Sequence, residues 1–194
     1  GYYEWGGKRF IGTEGNWSFG YSIADERIKK MSPEELIAKH NGKLEQAAVT
    51  PAQHPVTMTQ HPMGVGKSWT RKYGEPELND YDMPEVGYIP YLNEFKLNPV
   101  LYGAYFQESW DYALKGDPEF LYLNDWNEWT AMKFELGPGS QWLGRINPFH
   151  FVDQYNMESN RGIQPMKGGY TDNYYMQMAQ NIRRYKGSRP IPEH

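Results

Sequence analysis

The chain has 194 residues and a mass of 22.7 kDa, which suits one substantial hydrophobic core, so we predict a single domain over residues 1–194. Its formal charge is −4 and no basic stripe runs along it, so nucleic acid is not an expected partner. With no cysteine, disulfides and sulfur-bound zinc are excluded, and no apolar run reaches the roughly eighteen residues of a membrane span.

Aromatic residues are the most informative part of the composition. Seven Trp, sixteen Tyr and eight Phe occur beside twenty Gly and fourteen Pro, which indicates a loop-rich fold with rings exposed or lining clefts. This composition is typical of carbohydrate-active proteins. The first residues contain no initiator Met, no basic segment and no apolar segment, which indicates a chain processed, trimmed or cut from a longer one.

The first predicted helix begins at a capping box. Ser32 is suited to the N-cap position, a proline follows at the first helical position, and Glu35 is the reciprocal acid. We predict that this helix ends at about Lys39 or, past a weak interruption at Asn41-Gly42, at about Ala47.

Three apolar stretches are predicted to be strands, each followed by polar residues. They are residues 55–62, residues 99–106 and a strand of four to six residues that includes 120–123. The second is followed by a short helical segment, Asp111 to Lys115, which Gly116 closes.

The remaining segments are predicted to be mostly irregular. Residues 74–90 are acidic and rich in turn-forming residues, residues 134–150 are predicted to be loop, and residues 151–161 are extended. A last helix is predicted from about Asp172 to Lys186, with one apolar stripe.

Units of strand, loop and helix with polar carboxyl ends predict an α/β fold with parallel strands. A closed (β/α)8 TIM barrel usually needs about 250 residues. We therefore predict that this chain is the C-terminal portion of such a barrel, with the rest supplied by a missing N-terminal part of the same protein or by another chain.

The strongest functional pattern lies in residues 121–129, where a short strand ends in two acids and two amides between indole rings. The rings of Trp126 and Trp129 can face a pyranose, and partial desolvation would raise the pKa of Glu128. α/β barrels place their chemistry at such strand ends. The alternative is that both indoles belong to the core and that Asn127 and Glu128 cap a helix.

Asn127-Glu128-Trp129 resembles the Asn-Glu-Trp-x-Glu signature of family 99 endo-α-mannosidases and of family 71/99-like glycoside hydrolases. The run 151–158, continuing through 163–169 and 172–175, resembles the tail of Bacteroidetes-type members. The resemblance implies a (β/α)8 barrel that hydrolyses α-linked oligosaccharides or polysaccharides, without a cofactor, in a secreted, periplasmic or cell-surface protein.

Site residues follow from the resemblance one position at a time. Glu128 matches the first motif glutamate, which acts on the sugar 2-hydroxyl, but Ala131 stands where the family has its acid/base glutamate. Hydrolysis normally needs a second carboxyl group. Glu108 and Asp125 also lie at predicted strand ends and Glu158 lies in the tail segment, and we predict that Glu158 or Glu108 is the acid.

In an alternative interpretation Glu158 forms a salt bridge with Arg161 that fixes the loop. A separate alternative, which Ala131 supports, is a glycan-binding protein that keeps the cleft and Glu128 but lacks the acid/base group.

Further side chains are predicted to bind substrate because most of them follow predicted strands. The aromatic platforms are Trp110, Trp126 and Trp129, and the polar residues are His61, Gln107, Asn127 and Arg161. No metal is predicted, since His61 has no second ligand at a suitable spacing. A third possibility is a structural fragment that is stable only with the rest of its barrel.

Overall fold

The computed structural model describes residues 4–5, 8–9, 12–18, 30–52, 66–74, 76–77, 83–131, 133–135, 149–151 and 157–187. Its strands are β1 (Glu4–Trp5), β2 (Lys8–Arg9), β3 (Ala38–His40), β4 (Lys43–Val49), β5 (Val86–Ile89), β6 (Glu94–Leu97), β7 (Phe120–Leu123), β8 (Phe134–Glu135) and β9 (Phe149–His150). Its helices are α1 (Pro33–Leu36), α2 (Ala104–Gly116) and α3 (Asn173–Tyr185), with a 3-10 turn at Pro99–Leu101.

The sheet that positions the candidate site has the strand order β3-β4-β7. β3 and β4 form an antiparallel hairpin whose two turn residues, Asn41 and Gly42, both have positive φ, 50° and 74°. Asn-Gly is the preferred sequence for such a two-residue turn. β4 then pairs in parallel with β7, with Gln46 opposite Phe120.

Helix α2 crosses between the two parallel strands and covers one face of β4. Its buried residues recur three and four positions apart, so that Phe106, Trp110 and Ala113 form one apolar stripe. This stripe packs with Ala47 and Val49 in the main hydrophobic cluster. The unit β4-α2-β7 is therefore a genuine parallel β-α-β arrangement.

The segment 12–18 runs beside β3, where the Gly15 N–H donates to the Lys39 carbonyl at 2.8 Å, and it contacts β4 at Ser18. The Gln46 side chain is buried there, and its amide accepts from the Ser18 N–H at 3.0 Å and donates to the Ser18 carbonyl at 2.9 Å. A buried amide that satisfies both of its groups in this way fixes the segment without an unpaired polar atom.

The prediction of part of a (β/α)8 barrel is wrong. The strands of the described residues form one three-stranded sheet and three two-stranded pairs, and β4 with β7 is the parallel pair among them. Residues 99–106 are not a strand, because Gly103 has a φ of 60° and the chain enters α2 immediately after it. The helix predicted from Ser32 is the single turn α1, after which the β3-β4 hairpin begins.

Several local predictions are confirmed. β7 lies where the strand after residue 119 was predicted. The Glu35 carboxylate accepts the Ser32 N–H at 2.7 Å, as a capping box requires. α3 spans Asn173–Tyr185, within one residue of the prediction at each end, with Tyr174 buried on its inner face.

Other segments differ from the predicted loops or are not described. β5 and β6 form an antiparallel hairpin that begins inside the predicted acidic loop, and β8 pairs with β9 at the two ends of the other predicted loop. The predicted strand at residues 55–62, with His61, lies outside the described residues. None of the helices in the described part of the chain is long and apolar enough to cross a membrane.

Candidate functional site

The chain turns sharply where β7 ends. The Asn124 N–H donates to the Val49 carbonyl at 2.9 Å, so the parallel pairing continues to this residue. Asp125 then adopts a φ of 71°, in the left-handed region that residues other than glycine enter infrequently. This turn places the polar motif of residues 125–128 at the carboxyl end of a parallel strand, as expected from the sequence.

Arg161 joins the two acids of this motif. Its Nη1 lies 3.4 Å from Asp125 Oδ2, and its Nη2 is paired with Glu128 Oε2. The side chains of Asp125, Arg161 and Glu128 are 9%, 22% and 30% exposed, so the cluster is partly desolvated. Burial lowers the Arg161 pKa, and the charge of Asp125 opposes that shift.

The segment 157–164, which we call the arginine loop, is attached to the end of β7 through its backbone. The N–H groups of Ile163 and Gln164 both donate to the Trp126 carbonyl, at 2.9 and 3.0 Å. The Asn127 side-chain amide donates to the Gln164 side chain. These contacts fix the position of the Arg161 guanidinium relative to the two acids.

Aromatic rings flank the charged cluster. The Trp126 indole is 50% exposed, and it makes a T-shaped contact with the ring of Tyr175 on α3, with the centroids 6.1 Å apart. Trp129 is half-buried, and it lies close to the backbone of Gly162. Trp126 is therefore the indole that is available for stacking, whereas Trp129 lies against the arginine loop.

A buried cation holds the arginine loop from the inside. Lys67 is fully buried, with Nζ 3.4 Å from Asn160 Oδ1 and 3.3 Å from the Gly162 carbonyl oxygen. The same ammonium lies 3.6 Å and 4.1 Å from the ring centroids of Tyr170 and Tyr174. Such cation–π contacts are strongest where water is excluded.

Glu158 is buried beside this cation rather than exposed with Glu128. Its carboxylate accepts the Ser68 N–H and the Ser68 hydroxyl, both at 2.8 Å, and its carbonyl accepts the Lys67 N–H at 2.8 Å. A Cβ on Gly66 would overlap the Glu158 carboxylate, which explains the glycine at that position. Glu158 therefore has the contacts of a residue that anchors the arginine loop.

Three more predicted site residues, Gln107, Glu108 and Trp110, lie on α2. The Glu108 carboxylate accepts the Arg71 N–H at 3.2 Å, and burial raises its pKa. Gln107 faces α3, where its amide bonds to that of Asn181. Trp110 is buried in the hydrophobic core and presents no surface to a ligand.

Some residues of the site were not predicted from sequence. Asp125 is predicted as a carboxylate at the strand end, but nothing in its spacing shows that it shares Arg161 with Glu128. Gln164 and Tyr175 lie in segments read only as a tail and a helix. Lys67 follows a glycine-rich loop in sequence, where a lysine is ordinarily exposed.

Among the residues that the structure describes, no group of three or more His, Asp or Glu side chains is placed to hold a metal ion. Comparisons with protein-family models, with curated proteins and with solved structures give no match. The functional argument therefore depends on the geometry of the site.

Proposed function

We propose that the protein binds α-linked oligosaccharides or polysaccharides at the end of β7. The observation that carries this proposal is the exposed Trp126 indole beside the cluster of Asp125, Glu128 and Arg161, which the arginine loop holds in place. Aromatic faces bind the apolar faces of sugar rings, and fixed planar polar groups select hydroxyl positions.

Each group has a distinct part in this proposal. Trp126 supplies the stacking surface, and the Tyr175 ring, whose plane lies at 80° to the indole, borders it. Glu128, half-exposed, accepts hydrogen bonds from sugar hydroxyls, while the amides of Asn127 and Gln164 offer both donors and acceptors. Because Arg161 fixes the carboxylates before a ligand arrives, little ordering cost is added on binding.

Hydrolysis is the second candidate function. It is favoured by Asp125, which provides a second carboxyl group in contact with the same guanidinium as Glu128. The two catalytic carboxyl groups of a glycosidase lie about 5 to 9.5 Å apart. One guanidinium can contact both groups across such a span. However, an arginine favours the ionised form of a carboxyl group, whereas cleavage needs a protonated acid, and Ala131 replaces the family's acid. Binding is therefore the better-supported function.

The test of binding is the change Trp126→Ala, measured by isothermal titration calorimetry with α-manno-oligosaccharides. We expect affinity to fall about tenfold or more, since truncating a stacking aromatic costs upwards of about 1.4 kcal/mol. The control is Trp17→Ala, which removes another exposed indole that packs on Phe120 at the opposite end of β7. Equal effects of the two changes, or none, would overturn the proposal.

The test of hydrolysis is the change Glu128→Gln, measured by release of reducing ends from α-mannan. The amide keeps the shape of the side chain and removes its basicity. A hydrolase loses turnover and keeps binding, whereas a binding protein shows no turnover in either form. The resemblance to family 71/99-like proteins and a location outside the cytoplasm stay predictions.

A further inference from the structure

A groove separates α2 from α3 on the side of the molecule that carries Gln107. Its volume is about 670 Å³, within the range of about 300 to 1,000 Å³ that small-molecule sites occupy. Side chains of α2, of α3 and of the turn after β5 line it, and several of them are amides. None of its lining residues belongs to the charged cluster at the end of β7.

The amides of the groove form one connected network with Gln107 at its centre. Gln107 Oε1 accepts from the amides of Gln177 and Asn181 at 3.0 and 2.9 Å, and Gln107 Nε2 donates to Asp111 at 2.9 Å. Arg184 Nη1 donates to the same Asp111 oxygen at 2.9 Å. The network therefore holds its amide planes in fixed orientations, and its one ion pair balances its charge.

The groove also offers accessible polar and apolar groups. The side chains of Asp111 and Arg184 are 51% and 49% exposed, and Gln180 is an exposed residue of the lining. Tyr91 and Met176 are exposed at the groove, and the Tyr91 hydroxyl is fixed by donation to the Tyr102 carbonyl at 2.8 Å. Fixed amides, a balanced charge and the rings of Tyr91 and Tyr102 suit a neutral ligand that is rich in hydroxyl groups.

The groove and the candidate site meet at the first turn of α3. Tyr175 contacts Trp126 at the end of β7, and the next residue, Met176, lines the groove. Consecutive residues of one helical turn therefore belong to the two places. We propose that the groove is a second glycan subsite, so that the protein recognises a chain of several sugar units rather than a single terminal sugar; this rests on the proposed function.

The experiment compares α-mannobiose with α-mannohexaose on the wild-type protein and on Gln180→Trp, which fills the groove from an exposed helix position. The control is Arg183→Trp, the same change at the neighbouring exposed position of α3, outside the groove lining. We expect Gln180→Trp to weaken hexaose binding about tenfold and to leave biose binding unchanged. An unchanged hexaose affinity would overturn the second subsite.

Side-chain NH₂ resonances of Gln107, Gln177 and Asn181, followed in a hexaose titration, separate the two proposals. Shifts in these amides together with the Trp126 indole N–H support both sites. Shifts confined to Trp126 overturn the groove and leave the proposed function standing. Shifts confined to the groove amides overturn binding at the end of β7 and, with it, a ligand chain that spans the two places. No shift at either place overturns both proposals.

Discussion

Replacing Arg161 by methionine tests whether the ion-pair cluster is fixed as the geometry indicates. Methionine keeps an unbranched apolar side chain and removes the guanidinium. Asp125 and Glu128 are then left close together without their shared cation. Like charges at short range in a partly desolvated site repel each other, so the folded state loses stability.

The size of the loss follows from burial. Removing one partner of a buried ion pair costs about 3 to 5 kcal/mol, and an exposed pair contributes about 0.2 to 1 kcal/mol. Asp125 is 9% exposed and approaches the buried case, whereas Glu128 is 30% exposed and water screens it. We therefore expect Arg161→Met to lower the free energy of unfolding by about 2 to 4 kcal/mol, mostly through Asp125.

Urea unfolding at pH 7 measures this loss, with Arg183→Met as the matched control because Arg183 is exposed on α3. Adding Asp125→Asn to Arg161→Met removes the orphaned charge and should restore more than half of the lost stability. Without the cation, the folded state favours protonated carboxyl groups, so the loss should shrink as the pH falls. A loss no larger than that of the control, or one that deepens with acid, would refute the reasoning.

Three further changes test the fold and its ionisable groups. Gly12 and Gly15 both have a φ near 70°, but only a Cβ on Gly12 overlaps a backbone carbonyl. In urea unfolding, Gly15→Ala should therefore lower the free energy of unfolding by roughly 1 to 2 kcal/mol, and Gly12→Ala should lower it by several kcal/mol. Burial raises the pKa of Glu108 above 4.5, so the stability of the wild-type protein falls as the pH rises through that shifted pKa. Glu108→Gln should lack this fall and should therefore become more stable relative to the wild-type protein at neutral pH than at acidic pH. Tyr170→Phe removes a donor to a buried loop carbonyl and should cost about 1 to 3 kcal/mol by urea unfolding, whereas the exposed Tyr175→Phe should cost under about 0.5 kcal/mol.

The elements that the sequence predicts correctly are those with local signals at both ends. α3 has an apolar stripe that begins at Tyr174 and a Gly187 beyond its last turn, whose φ is 64°. The capping-box contact of Glu35 forms as predicted. A helix start of this kind says little about length, however, because α1 ends after one turn.

The β3-β4 hairpin stands where a helix is predicted, although the sequence contains the signal for the hairpin's turn. Asn41-Gly42 is a weak interruption of the predicted helix, but Asn-Gly between apolar segments is also a strong indicator of a two-residue hairpin turn. Ala47, Ala48 and Val49 are buried together, as expected for a central strand with both faces covered. Alanine's high helix propensity is overridden here by burial.

Residues 99–106 show why part of the candidate site was misplaced. β-branched and aromatic residues there favour a strand, but Gly103 turns the chain into α2 at a φ of 60°. Gln107 and Glu108 were expected at a strand's carboxyl end and instead lie in the first turns of that helix. The helical period was visible, since Phe106, Trp110 and Ala113 recur at helical spacing and are buried together.

The residues of the strand-end site are local in sequence, but its chemistry depends on contacts that are not. From the flanking rings alone, burial was expected to raise the pKa of Glu128. The structure adds Arg161, which lies 33 positions away along the chain, and a cation favours the charged carboxylate. Arg161 in turn is held by a loop that packs on Lys67, whose bond to Asn160 spans 93 positions. No periodicity encodes such pairings, because they depend on how distant segments pack. A motif of acids and rings therefore identifies the residues that can meet a sugar, whereas the packing behind them determines whether the carboxylates bind or act as acids.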